Sequence, residues 1–497
     1  MSRPGTDERS PGAPRWTYST PTFEKSRSSR QRSSFSTLRT VFTPRAFPCA
    51  GLSFAPENDI PPVGVPRAVE TQKRPTGAVR GLRRLLLFQS ANTFAEQFGW
   101  NFIFLYAFRE HFSHLEIALY FIVEYGSCVL FIPLVRRLDI LRSMRYGLVL
   151  RIAAFAIILR FFWQGQLYVA ALLLGGFVTL FWIPYNTRYL ELTTRENRAQ
   201  SSAALFALFA VMGATLPVAA GFLVGLYGFQ AVLLISIAAL LAGLAASFWL
   251  EPAGEMTVDI RRMLSATRRV QGLLLCEGFW QGVFWLAVPL GLIMNLVGNE
   301  GYGAFYSFLG LLGGAASLLA GRWSDRRGSR GPIVVASALA GGAFSVAAAL
   351  FTGNLALWTA LMGLVYFSIY ILFPFTFTVV TERAGSCAEA MTVREQVTNI
   401  GRVFGALAVV ASLLSTGGLA PALAAGGLAL AGLAGSYLMT RGEGAGRTVK
   451  DRPRGGLLGR DEHCSSTEAQ DAPLKTATAV FSAETTEGRL RRPKAQG

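Results

Sequence analysis

Residues 302–352 read YGAFYSFLGLLGGAASLLA GRWSDRRGSR GPIVVASALAGGAFSVAAALFT, two apolar runs at 302–321 and 332–352 joined by a short turn that carries four arginines. Each run is about 20 residues long, the length at which an α-helix crosses the roughly 30 Å hydrocarbon core of a bilayer. A membrane β-strand needs only about ten residues with strict alternation, and these runs do not alternate. The stretch therefore reads as a helical hairpin through a membrane with a basic turn between its arms.

Working outward, the same pattern fills the chain from Gly81 to Arg441. Apolar runs lie at 83–108, 115–135, 144–163, 167–190, 200–226, 229–250, 271–296, 302–321, 332–352, 355–380, 391–414 and 419–440. About 360 residues at roughly 30 per helix and connection give about twelve spans. The composition agrees: 52% of the 497 residues are hydrophobic and 15% charged, against about 25% charged in a soluble domain, and the mean hydropathy is +0.38. The net charge of +17 would suggest nucleic acid if the basic residues were spread through a folded domain. They sit instead in two polar tails, 1–80 and 441–497, and at the junctions between runs.

The arginines also orient the chain. Junctions after spans two, four, six, eight and ten carry Arg136, Arg137, Arg142 and Arg145; Arg195 and Arg198; Arg261, Arg262, Arg268 and Arg269; Arg322, Arg326, Arg327 and Arg330; and Arg383. The opposite junctions carry Arg109 and then almost none. By the positive-inside rule both termini are expected in the cytoplasm, with the plasma (inner) membrane as the expected location and headgroups as the partner of the basic face. Residues 1–80, rich in Ser, Pro, Arg and Thr, are expected to be a disordered cytoplasmic tail. A transit peptide would carry fewer acids than Asp7, Glu8, Glu24, Glu57, Asp59 and Glu70, and a start codon assigned too far upstream is a further reading. The first 30 residues hold no apolar core of a secretory signal. Residues 441–497 form a second disordered tail.

Within the membrane region the chain repeats. Leu85-Leu86-Leu87 matches Leu273-Leu274-Leu275, Asp139 matches Asp325, Pro184 matches Pro374 and Gly213 matches Gly405, at offsets of 188, 186, 190 and 192 residues. That spacing implies two parallel six-helix bundles, 81–250 and 271–440, joined by a polar linker at 251–270.

The basic turn now carries more weight. Gly321, Asp325, Arg326, Gly328 and Arg330 resemble the signature loop of the major facilitator superfamily, in which glycines make a tight turn and basic residues rest at the headgroups; Ser329 stands where a second basic residue is expected. The equivalent first-half loop keeps Asp139 but has Val135 and Arg142 in place of its glycines. In span five Pro217, Ala220 and Gly221 match a fragment of the drug-antiporter pattern, while Met212 and Leu216 depart from it. The resemblance covers residues 81–440 and implies an all-α integral membrane protein with two pseudo-symmetric six-helix bundles. It further implies transport by alternating access, with spans one, four, seven and ten lining the central cavity and the loop residues acting in gating.

Charges inside a span are candidates for transport because hydrocarbon does not satisfy them. Glu96 heads a stripe of Gln89, Asn92, Thr93, Glu96, Gln97 and Trp100 at helical spacing in span one. Glu277 in span seven is followed by Trp280, Gln281, Phe284 and Trp285, and Arg402 lies near Asn399 in span eleven at comparable depth. A Glu277–Arg402 pair is expected, either a gate or a static brace, and Glu124 is expected to brace Arg151. Span four places Trp182, Tyr185, Asn186 and Tyr189 on one side, and span ten offers Tyr366, Tyr370, Phe373 and Phe377. For each stripe, packing against a neighbour is the competing reading. No Lys lies between Gly81 and Arg441, and His111 and His114 sit in the first external loop, so any proton coupling must run through carboxylates, Glu96 first.

The expected function is secondary transport of a small molecule by a monomer, without cofactor, bound metal or nucleic acid. The five cysteines have no paired spacing that would mark a disulfide framework or a zinc site. There is no Gly-x-x-x-x-Gly-Lys phosphate loop and no nucleophile–base constellation, so the enzyme readings fall away. Two other readings stay open: a non-transporting membrane scaffold or assembly factor, and an uncoupled facilitator.

Overall fold

The computed structural model describes residues 76–193, 195–295, 297–327 and 331–442. The first pass is α1 (Thr76–Phe98), a 3₁₀ turn at Trp100–Phe102 and α2 (Ile103–Arg109). The next passes are α3 (His114–Leu134), α4 (Ile140–Ile158), and α5 (Gly165–Phe177) continued by a π-helical turn at Val178–Trp182 into α6 (Ile183–Leu192). α7 (Arg195–Ala246) bends at Gly228, whose φ of 80° and ψ of 174° interrupt the helix. A left-handed φ favours glycine, and the bend turns one long apolar segment into two passes. A short α8 (Ile260–Ala266) lies in the linker, followed by α9 (Arg268–Met294), α10 (Asn299–Arg327), α11 (Gly331–Leu350), α12 (Leu355–Arg383), α13 (Cys387–Thr416) and α14 (Ala420–Gly442).

Nine helical segments among the described residues are long and apolar enough to cross a membrane, and one of them, Phe209–Trp249, is the bent pair. α1 with α2, and α4, are two further passes that carry charged side chains. Twelve passes result, in the places the apolar runs mark. Polar residues start several of them as the sequence requires: Ser113 and Glu116 form a reciprocal cap on α3, Asp139 accepts from the Arg142 N–H at 2.8 Å to start α4, and Asn354 accepts from the Leu357 N–H at 3.1 Å to start α12.

The glycine-poor first-half loop has a structure of its own. Val135 is extended at φ −90° and ψ 116°, and β1 (Arg137–Asp139) pairs antiparallel with β2 (Glu255–Thr257) from the linker, Leu138 opposite Met256. Without glycines to close a tight turn, the backbone stays extended and finds its hydrogen bonds in the linker. Asp139 thus caps a helix beside a two-stranded ribbon. Gly321, Asp325 and Arg326 fall in the last turns of α10, whose side chains lie outside the described residues, as do Gly328 and Arg330.

Small residues decide which helices touch. A Cβ on Gly278 would lie 2.1 Å from the Thr398 carbonyl oxygen, and one on Gly282 would lie 2.2 Å from that of Arg402. From the other side, Cβ atoms on Gly401 and Gly405 would meet the Leu275 and Phe279 carbonyl oxygens at 2.5 and 2.2 Å. Two Gly-x-x-x-Gly faces therefore press α9 and α13 together backbone to backbone, the usual solution where lipid supplies no hydrophobic drive between helices. Between the halves, a Cβ on Gly310 of α10 would meet the Gly213 carbonyl oxygen of α7 at 2.3 Å, and one on Gly303 that of Pro217 at 2.3 Å. Ser307 accepts from the Val218 N–H at 2.9 Å along the same seam. The second contact between the halves sets α3 against α13, where the Gln396 side-chain amide donates to the Val129 carbonyl at 3.3 Å.

An added methyl at Gly282 has no room, whereas at Gly435 nothing lies within 4 Å. Gly282→Ala is expected to lower the thermal stability of the detergent-purified protein by about 1–3 kcal/mol, the usual cost of overpacking. Gly435→Ala, measured by the same melting curve, is expected to leave it unchanged.

Candidate functional site

Near the middle of the spans, seven charged side chains gather on five helices. In the first half Arg151 of α4 is buried, donates through Nη1 to the Asn92 side-chain oxygen at 2.5 Å, and stands 3.7 Å from the Glu96 carboxylate. Its guanidinium also covers the Phe177 ring at 4.7 Å from the centroid, a cation–π contact that stands in for water on one face. Glu96 has 38% of its side chain accessible, against 3% for Arg151. Across the halves, Tyr366 and Tyr370 of α12 lie within electrostatic reach of Glu96. Their hydroxyls are hydrogen-bonded to each other at 2.8 Å. The accessible part of Glu96 therefore faces the space between the halves.

In the second half the close approach of α9 and α13 sets the register. Gly282 meets the Arg402 backbone and Gly278 that of Thr398, so Arg402 is level with Gln281, and Glu277 falls one turn lower. Arg402 donates from Nε to the Gln281 oxygen at 2.8 Å and from Nη1 to the Asn399 oxygen at 2.9 Å, and lies 3.7 Å from Glu395. Glu277 accepts instead from Arg394 at 3.0 Å and from the Gln281 amide at 3.1 Å. Arg394 also reaches Glu395 at 3.4 Å. The expected Glu277–Arg402 pair is thus replaced by Glu277–Arg394, with Gln281 bridging to Arg402. Arg402 stacks over Trp285 at 4.6 Å, and the Tyr125 ring of the first half lies 5.6 Å away.

Glu124 does not brace Arg151, which Asn92 and Glu96 already occupy. It is buried in the middle of α3, and its Oε2 has no hydrogen bond. The remaining expected residues divide. Gln97 and Trp100 are half-buried, Trp100 packing on Phe104 and Tyr120 at 5.7 and 6.0 Å. Trp182 and Asn186 of span four are half-buried, while Tyr185 and Tyr189 are buried, and the Trp182 and Tyr185 rings meet edge to face at 5.8 Å. Tyr185 stacks on Phe181 at 5.7 Å and belongs to the core. Trp280 is buried between Phe284 and Phe373, at 4.9 and 6.5 Å, and serves as packing.

Arg394, Glu395 and Gln396 are the site residues that reading the sequence missed. They lie at the start of the 391–414 run, where charges read as interfacial. The signal was present in the spacing of Glu395, Asn399 and Arg402, at i, i+4 and i+7, which places all three on one helix face. Removing one partner of a buried ion pair costs about 3–5 kcal/mol, whereas no direct pair links Glu277 and Arg402. A double-mutant cycle of thermal unfolding is expected to give a larger coupling for Glu277→Gln with Arg394→Gln than for Glu277→Gln with Arg402→Gln. Equal couplings would contradict the register described.

The comparisons with known proteins concern this same region. The profile of the Major Facilitator Superfamily matches residues 81–406. No curated protein sequence matches the chain. Among solved structures, a POT family transporter in complex with a thioalcohol-conjugated peptide superposes with a TM-score of 0.57 at 11% identity, covering 73% of this chain and 96% of that one. A POT family transporter in complex with 5-aminolevulinic acid gives 0.56 at 12% identity, over 73% and 96%. A structure of the peptide transporter POT gives 0.57 at 14% identity, over 73% and 94%. At such identities the likeness is one of fold. With the family profile spanning most of the described helices, the chain belongs to the Major Facilitator Superfamily and is a multi-pass membrane transporter rather than an enzyme.

Proposed function

We propose that the protein carries a small organic cation with an aromatic or apolar part across the membrane by alternating access. The two six-helix bundles, 81–250 and 271–440, rock about the α7–α10 and α3–α13 contacts. The observation that carries this reading is the accessibility of Glu96. All three arginines of the network are buried or nearly so, at 3%, 14% and 9% for Arg151, Arg394 and Arg402, and the charge turned toward the space between the halves is a carboxylate with 38% of its side chain accessible. The Glu96–Arg151 separation of 3.7 Å is looser than a direct hydrogen bond, so an incoming ammonium competes with Arg151 for the same oxygens. From the other half Tyr366 and Tyr370, both half-buried and within electrostatic reach of Glu96, offer aromatic faces and hydroxyls of the kind that hold cations bearing rings, and Trp100 and Trp285 are half-buried as well.

The arginine-rich junctions favour a cytoplasmic basic face and an inner or plasma membrane location.

Melting curves of the detergent-purified full chain test the reading with three matched probes: phenethylammonium, 2-phenylethanol and phenylacetate. Phenethylammonium is expected to raise the melting temperature, more than the neutral alcohol does, and Glu96→Gln is expected to abolish the difference. Stabilisation by phenylacetate instead would sink the cation assignment. A folded protein stabilised by none of the three, nor by a wider panel of metabolites, would favour the scaffold reading.

A further inference from the structure

The linker between the halves is fastened at both of its ends. Where it begins, Arg84 of α1 reaches Glu251 at 3.6 Å, and Arg145 of α4 donates to the Ser247 hydroxyl and carbonyl at 3.1 and 3.0 Å. The ribbon comes next. The Ile140 N–H donates to the Gly254 carbonyl at 3.3 Å and the Val258 N–H to the Arg136 carbonyl at 2.9 Å, one at either end of the β1–β2 pairing. Leu138, Met256 and Val258 are buried by it. Up to Val258, then, the linker is part of the first half. From the very next residue it is part of the second. Asp259 accepts from the Arg262 N–H through its side chain at 3.2 Å and from the Met263 N–H through its carbonyl at 2.9 Å, which starts α8. α8 packs on α13 and is tied to α9 by the Gln271 amide, which donates to the Leu264 carbonyl at 2.6 Å.

A linker held in this way has no slack. β1 follows on from α3 and α8 lies on α13, so the junction at Val258 and Asp259 stands over the α3–α13 boundary on the linker side of the membrane. Gln396 and Val129, which meet across that boundary at 3.3 Å, lie in the linker-side halves of their helices. A movement that draws these helix ends apart by more than the roughly 3.6 Å that one residue spans must break either α8 or the ribbon. α8 has its own helical bonds, the Asp259 cap, the Thr267 N–H donating to the Met263 carbonyl at 3.1 Å, and Gln271. The ribbon pairs only three residues on each strand, and a two-stranded pairing is marginal by itself. The ribbon is the part that gives way.

We propose that the β1–β2 ribbon is a clasp between the halves, closed in this conformation and unzipped whenever the linker side opens. The glycine-poor loop around Asp139 makes it possible, because an extended backbone from Val135 onward leaves a strand edge for the linker to join. The proposal rests on the rocking motion of the transporter reading and not on the identity of the solute.

The test is hydrogen exchange of the full chain in liposomes, read by mass spectrometry on peptides covering the ribbon and residues 391–399. Arg137 and Thr257 are exposed and face each other between the hydrogen-bonded pairs of the ribbon, where Cα atoms lie about 4.5 Å apart, close enough for a disulfide. Oxidising the pair Arg137→Cys with Thr257→Cys is expected to slow exchange in both regions, and reduction to restore it. Val258→Pro, which removes one N–H and keeps the strand extended, is expected to speed both by roughly fivefold, the factor one lost hydrogen bond gives. Ribbon peptides that respond while 391–399 does not would overturn the clasp, and a cysteine pair that fails to close would contradict the register. The oxidised and reduced forms are one and the same chain, so that comparison stands even where Val258→Pro does not fold. No solute is added, so failure of phenethylammonium to bind leaves these rates where they are and the two readings fail separately.

Discussion

Three guanidinium groups buried in a bundle that a membrane surrounds are the constraint on which the rest of the interior depends. Arginine stays charged at any pH a protein meets, so neither burial nor neighbours can neutralise it. Each must therefore bring partners with it. Arg151 is met by Asn92, Glu96 and the Phe177 ring, Arg394 by Glu277 and Glu395, and Arg402 by Gln281, Asn399, Glu395 and the Trp285 ring. The partners come from α1, α5, α9 and α13, which ties each half together around its own cations. In lipid the alternative to such a network is an unpaired buried charge, which is why each guanidinium draws more than one partner.

Glycine makes the network geometrically possible. Gly278, Gly282, Gly401 and Gly405 let α9 and α13 approach until backbone touches backbone. At that separation the short Gln281 and Asn399 side chains reach the same guanidinium from opposite helices. A wider gap would put Arg402 beyond one of them. The α7–α10 seam uses the same device between the halves, with Gly213 facing Gly310 and Pro217 facing Gly303. Such small-residue seams are smooth, without interlocking side chains, and suit surfaces that must slide or pivot while remaining packed.

The linear chain showed twelve apolar runs, a basic face and a two-fold repeat, and the structure has helices at each of those runs. Bilayer thickness sets helix length, and that constraint is one-dimensional, so it is readable without a fold. Glu96, Asn92, Glu277, Gln281, Asn399 and Arg402 were legible for a related reason, since polar residues deep in apolar runs stand out one by one. Their pairing was not legible. Which acid meets which base depends on the axial register of α9 against α13, and a shift of one turn, about 5.4 Å, exchanges Arg402 for Arg394 as the partner of Glu277.

What the sequence determined by itself is the class of molecule: a membrane transporter fold of two similar halves, with its arginines gathered on one face and a few charges committed to the interior. Hydrophobic length and charge placement act on each segment independently, so they survive translation from string to structure. What only the tertiary structure decided is how those interior charges are shared. Among the described residues it left the Glu124 Oε2 without a hydrogen bond, turned Glu96 toward the space between the halves, and converted the glycine-poor loop around Asp139 into a ribbon with the linker. Each of those outcomes depends on distances between segments far apart in the chain, which close packing of helix faces sets and no local pattern encodes.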